Sequence, residues 1–239
     1  MTVVEQKFWV IIPASGIGSR MNADRPKQYL PLNGKTVLEN TLDCFIRHPR
    51  ISGVIVAISA DDEYWSKLNF KTERPVITVE GGAERCHSVL NALQGLKDLA
   101  EDHDWVLVHD AARPCLNNSD LDKLLITMAT HPVGGLLGVP VHDTIKKVDS
   151  VNVVESTVDR EYLWRALTPQ MFRYGMLRDA LNLALADDYL VTDDASAIEH
   201  AGYAPLMLEG HAGNIKITRP EDLALAEFYL AEKNNNQQE

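Results

Sequence analysis

The sequence predicts an α/β fold in which helices flank a mainly parallel, twisted sheet. Three observations predict it. Short apolar, largely β-branched runs recur through the 239 residues, and segments with helical apolar spacing separate most of them. The runs have little alternation, as expected of strands buried on both faces. Strand and helix repeated in this way imply right-handed crossovers and parallel pairing.

In chain order, Phe8–Ile12 is the first strand, and Pro13 breaks it. Thr36–Arg47 is a helix with Val37, Leu38, Leu42, Phe45 and Ile46 on helical spacing, closed by Pro49. Gly53–Ser59 is the second strand, Asp61–Leu68 a short helix and Val76–Glu80 the third strand. Ala83–Leu96 is a helix with Val89, Leu90 and Leu93 on one face, followed by a strand at Trp105–His109. Ser119–Ala129 is a helix capped by Ser119 or Asp120, and Gly134–Val141 the fifth strand. Two short β-like runs, Asp143–Val148 and Val153–Val158, then form an arm over residues 142–160. A two-stranded hairpin is marginal in water, so the arm is expected to pack on a second subunit. Helices at Gly175–Ala186 and Asp193–Ala201, strands at Ala204–Glu209 and Asn214–Ile217, and a helix from Pro220 to Ala231 complete the order. No element is assigned between Arg160 and Tyr174. The expected organisation is one domain over residues 1–239, with 234–239 a frayed polar tail.

A net charge of −11 argues against a nucleic-acid partner, which would need a basic face. It leaves room for anionic small molecules, because a few local cations outweigh a diffuse acidic surface. No apolar stretch is long enough for a membrane span. Three widely spaced cysteines, Cys44, Cys86 and Cys115, make neither a CxxC pair nor a disulfide framework. That pattern suits a reducing cytoplasm.

In an open parallel sheet, ligands bind beyond the carboxyl ends of the strands. The rule selects three loops: Ala14–Lys27, Gly81–Ser88 and Asp110–Pro114. In the first, Ala14, Ser15, Gly16, Ile17 and Gly18 offer backbone N–H groups with little side chain in the way, and Arg20 and Lys27 add full charges. The loop reads as a cradle for a nucleoside triphosphate. Met21 stands where a dinucleotide fingerprint needs its third glycine, and no Gly-Lys-Ser/Thr follows Gly16, so neither a dehydrogenase nor a P-loop fits. Asp110, at the end of a hydrophobic strand, is the candidate ligand for Mg²⁺, which takes one or two carboxylates and completes its shell with water and phosphate. Arg113 is placed for bidentate phosphate binding, and His109 reads as structural. Gly82, Ala83 and Ser88 offer groups for the edge of a base or a plain tight turn. Arg85 reads slightly better as a solvated helix charge than as a phosphate ligand. Thr144, Arg160, Thr168, Thr192, Lys216 and Arg219 are polar candidates in the second half, each individually more consistent with a structural role. Asp193 and Asp194, being adjacent, point apart, and Asp193 reads as a helix cap.

The segments PASGIGSRM, PKQYLPL, GGAERCHSV, HDAARPC, PVHDTIKKV, TVDR, ALTPQ, TDDASA and NIKITRPEDLALAE, in this order, resemble the 2-C-methyl-D-erythritol 4-phosphate cytidylyltransferase family from about Val10 to Tyr229. The resemblance implies a Rossmann-like nucleotidyltransferase fold with a protruding β-arm that interlocks a homodimer. It implies CTP as co-substrate, with Ala14, Ser15, Gly16 and Gly18 at the triphosphate and Gly82, Ala83 and Ser88 at the cytosine. Arg20 and Lys27 match the catalytic cations, and Asp110 the Mg²⁺ ligand. Arg160 and Lys216 match residues that position the acceptor, with Arg113, Thr144, Thr168 and Thr192 nearby; Thr144 and Arg160 come from the partner's arm. Ala83 departs from an aspartate found in some relatives, and Ser15 from a commoner alanine. A different polyol phosphate acceptor, such as ribitol 5-phosphate, and a non-catalytic nucleotide-binding module are the alternatives.

Overall fold

The computed structural model describes residues 6–16, 21 and 24–235. Its strands and helices are β1 (Phe8–Pro13), β2 (Pro31–Leu32), β3 (Lys35–Thr36), α1 (Val37–Ile46), β4 (Gly53–Ile58), β5 (Val76–Glu80), α2 (Arg85–Gly95), β6 (Trp105–Val108) and α3 (Asn118–Ala129). After these come β7 (Gly134–Pro140), β8 (Ile145–Val148), β9 (Val154–Val158), β10 (Trp164–Arg173), α4 (Tyr174–Ala186), α5 (Asp194–His200), β11 (Leu206–Glu209) and α6 (Glu221–Asn235).

The described residues form a seven-stranded sheet in the order β11-β7-β10-β6-β1-β4-β5. β1 pairs in parallel with β4 on one side and β6 on the other. The chain therefore winds outward from β1 through β4 to β5, then crosses back past β1 to lay down β6. The reversal opens a crevice at the carboxyl ends of β1 and β6, where an open α/β sheet binds its ligand. Alternation along the strands splits the core into two layers. Val10, Ile12, Val54, Val56 and Leu107 pack with residues of α1 and α3, including Leu38, Leu42 and Leu124. Trp9, Ile11, Ile55, Val106 and Val108 pack with residues of α2 and α4, including Val89, Leu93 and Leu177. Burial of both faces is why these strands read as unbroken apolar runs.

The structure revises several elements. β10 lies where the sequence suggested nothing, and it is antiparallel to both β6 and β7. Pro169 removes a donor from the middle of the run, which argues against a strand. The sheet accommodates it at a register shift between Ala166 and Gln170, with the Thr168–Pro169 peptide cis. The segment 61–68 holds one 3₁₀ turn, Trp65–Lys67, because the Asp62 carboxylate accepts the N–H groups of Tyr64 and Trp65 and draws the backbone into a turn. The cap of α3 is Asn117, whose side chain accepts from the Asp120 N–H. β2 and β3 form an unforeseen small hairpin across Asn33 and Gly34, both with positive φ. Residues 214–217 are a strap, not a strand. The strap is fastened by the Ile217 N–H to the Ala112 carbonyl and by the Asn214 amide to the Thr168 carbonyl. α6 starts one residue after Pro220 and runs through Asn235, two residues into the tail expected to fray.

The arm is present as β8 paired antiparallel with β9. It leaves β7 at Pro140 and returns at Trp164, residues that are themselves paired, so its root lies beside the carboxyl end of β6. Val151 is 72% exposed and Tyr162 82%.

At the carboxyl end of β6, His109 splices the strand to β10. Nε2 of His109 lies 2.9 Å from the Arg113 carbonyl, which only accepts, so this nitrogen carries the proton. Nδ1 then accepts from the Thr168 hydroxyl at 3.0 Å, and that hydroxyl in turn accepts the Asp110 N–H at 3.1 Å. Burial pushes the His109 pKa down to about 4, so the imidazole is neutral at physiological pH and this proton arrangement is fixed. Replacing Thr168 by Val leaves a buried N–H and a ring nitrogen unsatisfied. Denaturant unfolding should register a loss of about 1–3 kcal/mol; unchanged stability would show that the hydroxyl does not hold this corner.

Candidate active site

Three loops meet at the crevice, as the strand-end rule requires. They enclose a cavity of about 230 Å³ lined by Ala14, Ser15, Gly16, Lys27, Gln28, Gly82, Ala83, Glu84, Arg85, Asp110 and Lys216, among others.

The first wall is the turn out of β1. The Ala14 N–H continues the pairing with β4 through the Ala57 carbonyl. Gln28, nearly inaccessible, then donates its side-chain amide to the carbonyls of Ala14 and Gly16 at 2.6 and 3.1 Å. Among the described residues, a Cβ on Gly16 would meet nothing within 4 Å, and its φ is not positive. Its bare backbone lines the cavity. Lys27, on a 3₁₀ turn at Lys27–Tyr29, places its ammonium 2.8 Å from the Ile217 carbonyl of the strap. Gly18 and Arg20, expected at the triphosphate and the reacting centre, lie outside the described residues.

The second wall is the turn from β5 into α2, and it is tied to the first. Ser88 is fully buried, and its hydroxyl donates to the Glu84 carbonyl at 3.1 Å. It accepts the Gly82 N–H at 3.0 Å and, its own proton being used, the Ser15 hydroxyl at 2.9 Å. Gly81 packs against Ser15 so tightly that a Cβ would collide with that side chain. Ser88 thus braces the two loops from behind, while Gly82 and the exposed Ala83 face the cavity. α2 begins only at Arg85, which leaves Ala83 and Glu84 in the loop.

The floor is electrostatic. Asp110 is 7% exposed. One carboxylate oxygen, Oδ2, lies 3.0 Å from the Lys216 ammonium and 3.1 Å from Nε of Arg113; the other, Oδ1, lies 3.3 Å from Nε of Arg85. Burial opposes ionisation, but Arg85, Lys216 and Arg113 overcome it and hold the carboxyl well below the usual carboxylate range. Asp110 is therefore a permanent anion. It offers a hard oxygen donor at the cavity wall, the type a Mg²⁺ ion takes from protein. A second group of donors, Glu84, Cys86 and His87, has its ligand atoms within 4.8 Å of one another. Burial raises the Cys86 pKa and keeps the thiol protonated, and sulfur is a poor match for a hard cation.

Arg113 is turned inward. Besides Asp110 it donates to the Asn214 carbonyl at 2.7 Å, and it is 8% exposed. It fastens the strap to β6 instead of presenting a fork to the cavity. Lys216 reaches the cavity from the strap. Thr168 is committed to Asp110 and His109. Thr144 and Arg160 sit exposed on the arm and its return, and Thr192 is exposed just before α5, with its N–H donating to the Ser196 hydroxyl. None of these three lines this chain's cavity.

Arg85 and Gln28 line the cavity although the sequence assigned neither a place in the site. Arg85 is no solvated charge: its Nη2 lies 2.8 Å from Oδ2 of Asp194, a carboxylate with no exposure at all. Burial works against the Arg85 charge, but Asp194 and Asp110 hold its pKa above the usual value. For Gln28, the signal was available in its position next to Lys27, within a segment too polar for a core helix.

The sequence pattern of the 2-C-methyl-D-erythritol 4-phosphate cytidylyltransferase family matches residues 8–232. Proteins of that name from Pseudomonas putida F1 and Pseudomonas aeruginosa PAO1 are 57% and 56% identical to this chain, each over 90% of it, and the matches cover 92% and 93% of those proteins. A crystal structure of a 4-diphosphocytidyl-2C-methyl-D-erythritol synthase superposes with a TM-score of 0.83 at 37% identity, covering 95% of this chain and 100% of the other. A 2-C-methyl-D-erythritol 4-phosphate cytidylyltransferase from Francisella tularensis gives 0.82 at 38% identity, covering 94% and 100%. A crevice at the sheet reversal, a glycine loop braced through Ser88 and an ionised aspartate at its floor stand in a chain similar to these enzymes along nearly its whole length. The chain belongs to the 2-C-methyl-D-erythritol 4-phosphate cytidylyltransferase family of nucleotidyltransferases.

Proposed function

We propose that the protein transfers the cytidylyl group of CTP to 2-C-methyl-D-erythritol 4-phosphate, releasing pyrophosphate and giving 4-diphosphocytidyl-2-C-methyl-D-erythritol. The observation that carries this reading is the cavity itself. An open glycine backbone, the Lys27 ammonium and the ionised Asp110 line one space in a member of this family. The triphosphate lies along Ala14, Ser15, Gly16 and Gly18, and the cytosine against the backbone of Gly82 and Ala83. Ser88 keeps those two loops in register. Asp110 would hold Mg²⁺, which would supply positive charge to offset that of the phosphates.

The nucleophile is a phosphate monoester, with a second pKa of about 6, so it arrives mostly ionised at neutral pH. Its oxygen forms a bond to the α-phosphorus of CTP, and the bond from that phosphorus to the bridging oxygen of pyrophosphate breaks. No proton has to be removed, so the neutral, buried His109 behind the cavity wall is left to structural work. What the protein must supply is positive charge where two anions meet. Lys27 supplies it from a fixed position, held by the Ile217 carbonyl, and Arg20 is its proposed companion. Lys216 and Thr192 position the acceptor from within the chain. Arg113 and Thr168 act from behind the surface by holding the strap and Asp110.

Thr144 and Arg160 are assigned to the acceptor site of a second subunit. The arm supports this, because its exposed Val148, Val151, Val153 and Val154 are an apolar surface on a hairpin that does not stabilise itself. A homodimer through residues 142–160 covers that surface. Among the described residues no helix is long and apolar enough to cross a membrane, and the three cysteines are buried and free. Unpaired, buried cysteines support a cytoplasmic location.

Pyrophosphate release from CTP and Mg²⁺ with methylerythritol 4-phosphate or ribitol 5-phosphate as acceptor tests the assignment. Strong preference for the first is expected, and preference for the second would keep the chemistry and reject the substrate. Lys27→Ala should lower kcat more than about 100-fold, as loss of one transition-state charge contact does, with Arg20→Ala similar; a change confined to KM would remove either from the reacting centre. Arg160→Ala should chiefly raise KM for the acceptor. An equal rise in KM for CTP would rule out a role specific to the acceptor.

A further inference from the structure

Asp194 is the feature that the reaction leaves unexplained. It is completely buried in the first turn of α5, where Gln170 fixes the helix start by accepting the Ala195 N–H and donating to Asp193. Nη2 of Arg85 approaches Oδ2 to 2.8 Å, but off hydrogen-bond geometry, and among the described residues neither oxygen of Asp194 has a hydrogen-bond donor. Burial pushes the Asp194 pKa up and the Arg85 guanidinium opposes that shift; a buried pair held without further hydrogen bonds is costly.

Arg85 is shared between two carboxylates, and unequally. Its contact with Asp110, a hydrogen bond from Nε to Oδ1 at 3.3 Å, is longer than those of Arg113 and Lys216 with the same group, and longer than its own 2.8 Å ion-pair contact with Asp194. Attraction across a dry gap is stronger than across a wet one. Asp194 is fully enclosed, whereas Asp110 borders the cavity, so the guanidinium that donates to Asp110 is also drawn toward Asp194. Arg113 and Lys216 both take Oδ2 of Asp110, which makes Oδ1 the oxygen whose availability Arg85 controls.

We propose that Asp194 is a positioning residue that weakens the hold of Arg85 on Oδ1 of Asp110 and so keeps that oxygen available to a divalent cation. The proposal rests on the reading of Asp110 as the metal ligand. Without the Asp194 charge, Arg85 would settle on Asp110 and compete directly with the cation.

Mn²⁺ binding, read from the electron paramagnetic resonance signal of the free ion with CTP present and no acceptor, tests this without turnover. Asp194→Asn should weaken Mn²⁺ binding at least about tenfold, the scale of losing a partner that orients a metal ligand. In an Arg85→Gln background the same substitution should change it less than about twofold, because the competitor is gone. Equal weakening in both backgrounds, or none in either, overturns the proposal. Asp110→Asn separates the two readings. If it leaves Mn²⁺ binding intact, the metal assignment falls and the proposal falls with it. If it weakens binding while Asp194→Asn does not, the proposal falls by itself. Should Asp194→Asn fail to fold, Arg85→Gln and the Arg85→Gln/Asp194→Asn pair decide the matter. Both should bind Mn²⁺ at least as tightly as the natural protein, and weaker binding in both would overturn the competition.

Discussion

The ionised Asp110 carboxylate is what the rest of the site is arranged around. Three cations from three parts of the chain converge on it: Arg85 from the start of α2, Arg113 from the loop after β6 and Lys216 from the strap. Each brings its own segment into place. Arg113 carries the strap through the Asn214 carbonyl, and the strap brings Lys216 and the Ile217 carbonyl that steadies Lys27. A buried carboxylate with one partner would barely repay its desolvation, whereas several partners keep it charged. The same charge that prepares the site chemically therefore also folds it.

The sheet provides the place for this cluster. Because β1 has parallel neighbours laid down in opposite directions of winding, the loops after β1 and β6 diverge and leave a crevice between them. β10 completes the far side by running antiparallel, which brings Thr168 to the carboxyl end of β6 where the Asp110 N–H needs an acceptor. The same reversal roots the arm at that edge, since β7 leaves and β10 returns there.

Legibility in the sequence followed the physics of each element. Strands buried on both faces announce themselves by unbroken apolar runs, so β1, β4, β6 and β7 and the loops after them were readable to within a residue or two; β5, a partly exposed edge strand, was read at its observed bounds from β-branched residues. Helix α1 was equally clear, with a capping box at Thr36 and Glu39. β10 was not readable, because Pro169 carries the local signature of a break and only the tertiary pairing with β6 and β7 overrides it. Arg85 and Asp194 were missed for a related reason. A charged residue in the first turn of a helix is ordinarily solvated or a cap, and nothing local distinguishes a pair brought together from positions 109 apart in the chain. Arg113 was recognisable as important, but its inward direction depends on the Asn214 carbonyl, which the sequence does not place.

The fit between Ser15, Gly81, Gly82 and Ser88 bears on how the cavity meets a ligand. One buried hydroxyl joins both loops, and Gly81 leaves no gap beside Ser15. The two turns are one panel, assembled during folding. The ordering that a loop-built pocket normally loses entropy to achieve on binding has here been completed beforehand. A ligand lying against that panel would meet a surface whose two halves are already tied to each other, so that mismatch would be penalised by exclusion rather than relieved by a change of shape.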